Sequence, residues 1–584
     1  MVQIVLTLAI FMALVIPLGR YLYHIATFQH TFADPLLDRV DGGIYKLCGI
    51  KERAGMDWRK YTLSLVLTNG LMMALAYLVL RLQGLPLLNP NGAGGMEPTL
   101  GLNTAVSFMT NTNLQHYAGE SGLSYLSQML VVIFMMFLSS ATGYAACVAF
   151  CRGITGAGRS MGNFYVDLVR VTTRVLLPLS LLVGLFLVFQ GVPQTLGGNL
   201  TVTTLEGAKQ DIAMGPMAAL ESIKHLGTIG GGCLGGNSAT PLENPTILSN
   251  LAELLSMMAL PGACVVMFGL MYHNRKALAG KGEAAAPAKG SRLTDREPLL
   301  GGEGRTLFLA MGILFLAGLL LCCFAELAGN PALGRLGLDQ SMGSMEGKEV
   351  RFGVAQSALF TTVTTSITTG TVNNMHDTLT PLGGLVPLLH MMLGVVFGGK
   401  GVGLMNMVMY AILGVFLCGL MIGRTPEYLG KKIEGREMKL TVLVIMLHPL
   451  LILGFSALAT ALPPGRAGIS NPGFHGLSQV LYEFASAAAN NGSGFEGLVD
   501  NTPFWNLTTA LVMLLGRYVS IALQLAIAWG LLVKRPVNQS AGTLRTDTVS
   551  FAVILVCAVY LFAALTFFPA LALGPIAEHL TLWG

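Results

Sequence analysis

The chain has 584 residues, of which 53% are hydrophobic and 11% charged, and its mean hydropathy is +0.64. Soluble domains carry about 25% charged residues, so this composition excludes a soluble globular protein and indicates an integral membrane protein. A formal net charge of +5 excludes little by itself, and its distribution along the chain carries the information.

The opening segment MVQIVLTLAIFMALVIPLGR has no basic stretch ahead of its apolar run and no small-residue cleavage site before Arg20. It reads as an uncleaved first span, near 2–19, rather than a leader. Apolar segments of spanning length follow near 62–82, 123–150, 172–190, 246–272, 306–325, 385–422, 440–460, 503–533 and 549–571. The alternate connections 20–60, 151–174, 273–305, 424–439 and 533–545 hold 26 of the 35 lysines and arginines. Positive residues stay on the cytoplasmic side, so those connections are expected inside and both termini outside. Segment 273–305 is rich in Ala, Gly and Lys and reads as a linker, its basicity explained without a nucleic-acid partner. The nine cysteines form no CxxC pair and sit mostly in apolar runs, where a thiol is a small hydrophobe.

The other connections, after spans two, four, six and eight, are long and polar. Each contains a short apolar stretch, such as GPMAALESIKHLG or RFGVAQSALFTTVTT, that is too short to span and suits a re-entrant half-helix. Each stretch ends in a small polar cluster: TNTNLQ (110–115), GTIGGG (227–232), TTGT (368–371) and ANNGSG (489–494). Thr228, Thr368 and Asn490 each stand two residues before a glycine (Gly230, Gly370, Gly492) and twelve before a Thr-Pro pair. The first cluster shares the local pattern, Asn111-Thr112-Asn113, without the Thr-Pro. Such self-similarity marks repeated units.

The expected fold is an all-α polytopic membrane protein. It has ten transmembrane helices and four pseudo-repeats of helix, re-entrant pore loop and helix around a central pore, with one extra helix at each end. Along the chain this gives a first helix and connection (1–60), repeat one (61–150), repeat two (165–273), a linker (274–304), repeat three with a broken second helix (305–423), a connection (424–439), repeat four (440–533) and a last helix (546–584).

Four similar loops can surround one axis and aim backbone carbonyls at a dehydrated cation. Gly230, Gly370 and Gly492 are expected to take positive φ, with Asn113 in their place in the first loop. No carboxylate lies inside any cluster. Neutral oxygens suit a large monovalent ion, whereas Mg²⁺ and Ca²⁺ sites recruit carboxylates, so potassium is the expected cargo and no cofactor is called for. Glu120, Glu243, Asp377, Glu496 and Asp500 follow the clusters and read either as cation-concentrating charges at the outer mouth or as solvated loop charges.

Two cations fall within apolar runs. Arg517 interrupts the ninth span and is expected to face the pore below the loops, since an intramembrane charge rarely faces lipid. The run 385–422 is too long for one straight span, and Gly398, Gly399, Gly401 and Gly403 break it around Lys400. The reading is a constriction beneath the loops, tolerated at depth only beside a cavity. Gly394–Gly401 fits G-x-x-x-x-G-K but lacks the Ser/Thr of a phosphate loop. An alternative class, a lipid-modifying membrane enzyme, has only His116 and His376-Asp377 as candidate groups, and nothing in the sequence completes a triad or metal site.

The blocks TNTNLQ, GTIGGGCLGGNSATPLENP, TTGTVNNMHDTLTPLGG, IGRTPEYLGKKIEGREMKL and SAAANNGSGFEGL closely resemble the KdpA family, the potassium-binding subunits of bacterial Kdp transport ATPases, over essentially the whole chain. The resemblance implies a non-catalytic subunit in the bacterial cytoplasmic membrane, working with KdpB-like (P-type ATPase), KdpC-like and KdpF-like partners. It implies that potassium is selected from outside and passed sideways to the ATPase. Carried over residue by residue, the filter is Asn111, Thr112, Asn113, Thr228, Ile229, Gly230, Thr368, Thr369, Gly370, Asn490, Asn491 and Gly492. Gln115 borders it, and Arg517 stands below. Ile229 and Lys400 depart from the family pattern, and an acidic residue expected before VVFGG is absent. A stand-alone transporter or channel of Trk/Ktr/HKT type, built on the same plan, is the alternative reading. Nothing in the chain resembles a phosphorylation motif for ATP hydrolysis.

Overall fold

The computed structural model describes residues 2–51, 54–156, 160–280, 298–423, 425–537 and 544–584. Most of the expected linker and Arg424 lie outside the described residues. Among those described, ten helices are long and apolar enough to cross a membrane: Val2–Ala26, Trp58–Leu82, Tyr125–Thr155, Phe164–Gln190, Ile247–His273, Gly302–Arg335, Gly399–Met421, Gly435–Ala461, Pro503–Val533 and Val549–Trp583. All ten apolar runs read from the sequence appear. The run 385–422 is indeed broken, into Pro381–Leu393 and a helix resuming at Val402.

Four half-helices stand between spans, at Pro98–Met109, Met217–Leu226, Gly353–Ser366 and Phe474–Ala489. At 10 to 16 residues each and about 1.5 Å rise per residue, none reaches across a bilayer. Their side chains are largely buried, so these helices lie inside the bundle.

The Thr-Pro pairs mark helix starts in two of three cases. Thr380 and Thr502 cap the next helix, their hydroxyls accepting from the Gly383 and Trp505 amides, with Pro381 and Pro503 at the first helical position, where no amide is needed. Thr240-Pro241 does otherwise. It sits in a turn, and the fifth span starts later, behind a capping box of Thr246 and Ser249. The sequence register is kept there, but its structural role is not. A short antiparallel hairpin, Leu200–Thr203 with Lys209–Ile212, pairs Leu200 with Ile212 ahead of the second half-helix, a local addition to the expected all-helical plan.

The fifth span is almost wholly buried and packs along the first. Small residues allow the approach. A Cβ on Gly262 would lie 2.6 Å from Val15 Cγ2, and one on Gly19 would lie 2.4 Å from Val266 Cβ. Lipid offers no hydrophobic drive between helices, so close backbone packing at small residues carries more of the association.

A buried ion pair ties four spans together. Arg152 Nη1 donates to Asp167 Oδ1 and Oδ2 at 2.9 and 2.8 Å, and Arg152 Nη2 donates to the Ala26 carbonyl at 2.7 Å. The Tyr61 hydroxyl completes the group, 3.1 Å from Asp167 Oδ2 and 2.8 Å from the Ala145 carbonyl. Removing one member strands the other charge at a cost of about 3–5 kcal/mol. Arg152→Met is therefore expected to lower the thermal midpoint in detergent sharply, and Arg152→Met with Asp167→Leu to recover much of the loss. Thermal unfolding of the purified variants checks this.

Candidate ion-binding site

Each half-helix ends in the same turn. The residue after its last turn has a left-handed backbone: Asn111 (φ 62°), Thr228 (φ 50°), Thr368 (φ 53°) and Asn490 (φ 52°). The next residue's amide then reaches the carbonyl five positions back. Thr112 donates to Ser107, Ile229 to Lys224, Thr369 to Thr364 and Asn491 to Ser486, all at 2.8–2.9 Å. This is the six-to-one bond of a Schellman-type cap. Four non-glycine residues in the left-handed region, at four matching places, indicate a conformation held by its surroundings.

The third position differs among loops. Asn113 (φ 56°), Gly370 (φ 89°) and Gly492 (φ 111°) are left-handed as expected. Gly230 is not, and in its loop Gly231 (φ 74°) takes that conformation. Gly230 is needed for close approach instead. Its Cβ would lie 3.0 Å from both Gly492 Cα and the Thr112 carbonyl oxygen. In the third and fourth loops the position-three amide bonds a hydroxyl six residues back, Gly370 to Thr364 Oγ1 at 2.9 Å and Gly492 to Ser486 Oγ at 3.0 Å.

The loops bond to one another in chain order and close into a ring. Between loops one and two, Asn111 Nδ2 donates to the Thr228 carbonyl (3.0 Å), while Gln115 and Gly232 exchange two bonds at 2.9 and 3.0 Å. Between two and three, Thr371 Oγ1 donates to Asn237 Oδ1 (2.8 Å) and lies 3.2 Å from Ser238 Oγ. Between three and four, Asn491 Nδ2 donates to the Thr364 carbonyl (3.0 Å). Between four and one, Asn490 Nδ2 donates to Thr112 Oγ1 (3.0 Å). Asn111 is braced from behind by Ser139 and Ser140, whose hydroxyls donate to its Oδ1 at 2.8 and 2.9 Å. The Asn113 side-chain amide and the Thr369 hydroxyl are fully buried without a hydrogen-bond partner among the described residues. Such groups are rare unless a ligand or water meets them.

Beneath the ring lies the broken seventh span. The Lys400 ammonium, 1% exposed, donates to the Asn111 carbonyl at 3.0 Å and the Asn490 carbonyl at 2.9 Å. The Gly399 amide bonds the Ile367 carbonyl and lies 3.3 Å from Thr368 Oγ1. Glycine is required at these places, since a Cβ on Gly399 would meet Thr228 Oγ1 at 2.1 Å, one on Gly401 would meet Cys147 Sγ at 2.3 Å, and one on Gly398 would meet Gly403 Cα at 2.5 Å. The segment thus touches all four left-handed residues, closer to the ring than the constriction expected from sequence. Arg517 lies in a π-helical turn, Leu515–Val519, a local widening that re-aims side chains and is frequent at functional sites. Its Nη2 donates to the Ser139 carbonyl at 3.3 Å. Arg517, Thr368, Asn490, Gly398 and Gly403 line a small cavity of about 10 Å³. A second small cavity, of about 20 Å³, shares Asn406 and His448 in its lining with the first and is also lined by Phe562 and Thr566 on the last span. Neither Asn406 nor His448 was singled out from sequence, although a polar residue inside an apolar run is itself a signal.

Of the acidic residues after the clusters, Glu243 alone is buried, Glu120, Asp377 and Asp500 are half-buried, and Glu496 is exposed. Glu243 is fully buried and accepts from the Leu234 amide at 3.0 Å. Glu120 accepts from the Gly235 amide (2.8 Å), Glu496 from the Asp377 amide (2.9 Å), and Asp377 from Gln479 Nε2 (3.0 Å). Asp500 lies 3.9 Å from His116 Nε2. His116 links loops one and four, with Nδ1 2.7 Å from Asn506 Oδ1 and Nε2 3.1 Å from Glu483 Oε1. His376 meets the Tyr482 hydroxyl at 2.7 Å. The structure also gathers Glu221 and His225 of the second half-helix and Glu253 of the fifth span into a buried group that spacing along the chain does not connect.

Ten helices of spanning length packed around four buried half-helices and a broken helix define a polytopic membrane protein. The solved potassium transporter TrkH from Vibrio parahaemolyticus has a similar fold, with a TM-score of 0.50 at 14% identity over 77% of this chain and 82% of its own. The family profile "KdpA: Potassium-transporting ATPase A subunit" matches residues 5–580. A protein of Clostridium acetobutylicum named potassium-transporting ATPase potassium-binding subunit is 54% identical over 580 residues, 99% of each chain. One of the same name from Geobacillus kaustophilus is 51% identical over 580 residues, again 99% of each. The chain belongs to the KdpA family.

Two tests follow from this geometry. A methyl group on Gly492 would lie 2.0 Å from the Thr112 carbonyl oxygen at a strongly positive φ, whereas one on Gly414 meets nothing within 4 Å. Gly492→Ala is expected to destabilise by about 2 kcal/mol or more, and Gly414→Ala, inside a helix, to be neutral or stabilising by up to about 1 kcal/mol; thermal midpoints of the two variants check the opposite signs. Burial pulls the His116 imidazole down, but the Asp500 and Glu483 carboxylates outweigh it and hold its pKa at about 9. A raised histidine pKa contributes stability that is complete below about 6.5 and lost as pH rises through about 9. The midpoint of the unaltered protein is therefore expected to fall more steeply between pH 7 and 10 than that of His116→Gln.

Proposed function

We propose that the chain is the potassium-binding and translocating subunit of an ATP-driven potassium uptake complex. The twelve residues Asn111–Asn113, Thr228–Gly230, Thr368–Gly370 and Asn490–Gly492 form its selectivity filter around a central pore, with Gln115 at the border. The observation that carries this reading is the closed ring of four matching left-handed turns, built from neutral oxygens and amides buried inside the bundle. Backbone carbonyls in such a ring replace the hydration shell of a weakly hydrated monovalent cation. Ile229 contributes through its backbone and loses nothing by being apolar. Gly398, Gly399, Lys400, Gly401 and Arg517 form the floor of the pore.

Two small cavities that share Asn406 and His448 in their lining mark the direction of a sideways route from that floor toward the last span, where a partner subunit receives the ion. Relatives aligned over 99% of this chain bear the name of an ATPase subunit, which favours this reading over a self-sufficient transporter. ATP hydrolysis belongs to a KdpB-like P-type partner, with KdpC-like and KdpF-like subunits completing the assembly. The complex sits in the bacterial cytoplasmic membrane, with both termini of this chain outside.

The purified complex is expected to hydrolyse ATP in response to potassium and to lose that response when this subunit is absent. Gly230→Asp puts a carboxylate beside Gly492 and the Thr112 carbonyl, and is expected to weaken potassium binding by about tenfold or more and to relax discrimination against other monovalent ions. Unchanged affinity and selectivity would remove the filter assignment, and uptake indifferent to ATP would remove the ATP-driven role.

A further inference from the structure

Lys400 is a lysine where a filter has no evident use for one. Its ammonium is buried, and the charged group that faces it is Arg517, another cation; a Cβ built on Gly143 would meet both, 2.6 Å from Lys400 Cβ and 2.7 Å from Arg517 Nη2. A buried lysine ordinarily finds a carboxylate, since an unpaired ammonium at this depth costs several kcal/mol. Here two backbone carbonyls take that place, Asn111 at 3.0 Å and Asn490 at 2.9 Å. Both belong to the left-handed first positions of neighbouring loops, the innermost level of the ring. The backbone beneath is held in place for this contact. Lys400 itself is left-handed (φ 60°) between Gly399 and Gly401, and the Gly399 amide is anchored on the Ile367 carbonyl. A non-glycine residue in that conformation persists when its contacts fix it.

A primary ammonium and a bare potassium ion carry the same charge and seek the same neutral oxygens. We propose that the Lys400 ammonium is a tethered cation seated at the innermost coordination position of the filter, so that potassium competes with it for the Asn111 and Asn490 carbonyls and Lys400 sets the affinity and the number of ions held. This rests on the filter reading above and adds to it: of the ring's successive levels, the lowest is filled from within the chain. Two consequences follow from Coulomb's law. An ion held higher in the ring feels the ammonium's repulsion through a medium poorer in screening than water. An ion leaving downward meets the ammonium first, then Arg517.

The test uses the assembled complex with Lys400→Met and Lys400→Gln. Glutamine keeps a donor for the carbonyls without the charge and serves where methionine does not fold. Equilibrium binding of K⁺ by competition with Tl⁺ is expected to tighten about tenfold in either variant. Anomalous scattering from Tl⁺ is expected to show an added peak between the Asn111 and Asn490 carbonyls that the unaltered protein lacks. Unchanged affinity with no added peak in both variants overturns the proposal. Gly230→Asp separates this from failure of the filter reading. If that variant loses potassium binding while the Lys400 variants stay at the unaltered level, the lysine proposal alone is wrong. If Gly230→Asp also leaves binding intact, the filter reading falls and the lysine proposal with it.

Discussion

The structure depends on how backbone polar groups are satisfied where neither water nor a continuous helix can reach them. A half-helix that stops inside the bilayer leaves free amides and carbonyls, each costing several kcal/mol if unpaired. Here each of the four stops in a left-handed residue and a bond reaching five positions back, which closes the helix end and turns the chain outward again. That turn also decides which way the following carbonyls can face. The rest of the architecture keeps the four turns together: half-helices buried inside the bundle, amides bridging from loop to loop, serines behind Asn111, and glycines that let the seventh span break against the ring.

Four loops with one backbone geometry need not have one sequence. Position one is Asn, Thr, Thr and Asn, all short and polar, and asparagine is the non-glycine residue most tolerant of positive φ. Position three is where the loops part. Gly370 and Gly492 are left-handed and use a hydroxyl from their own half-helix, whereas Gly230 is confined by its neighbours and leaves the left-handed turn to Gly231. In the second loop Lys224 occupies the place held by Ser107, Thr364 and Ser486, and its ammonium pairs with Glu221 Oε2 at 2.6 Å and donates to Asn237 Oδ1 at 2.6 Å. The departure at position three coincides with that charged brace. Divergent side chains thus support a shared turn from different directions.

The floor of the site separates this chain from a simple ring of oxygens. Gly399 and Lys400 reach all four first-position residues, so the ring and the broken span are one packed unit. Movement of the span alters the ring's innermost contacts, because interiors packed this closely transmit displacement rather than absorb it. Arg517, on a π-helical turn, sits at the head of the cavity below. Two small cavities share Asn406 and His448 in their lining, one bordering Thr368 and Asn490 of the ring and the other Phe562 and Thr566 of the last span.

Local sequence determined the elements whose cause is local. Ten apolar runs of spanning length became ten helices, short apolar stretches ending in Gly, Thr and Asn became half-helices and turns, and the glycine run around Lys400 broke a helix, since hydrophobic length and backbone freedom are written residue by residue. Tertiary structure decided what depends on neighbours far along the chain. It made Gly231 rather than Gly230 left-handed and turned Glu243 from a mouth charge into a buried brace. It placed the Lys400 ammonium on carbonyls 289 and 90 residues away, and joined Asn406 and His448 at one cavity. Spacing along a chain gives the period of an element, but it holds no measure of which distant carbonyl a side chain will meet.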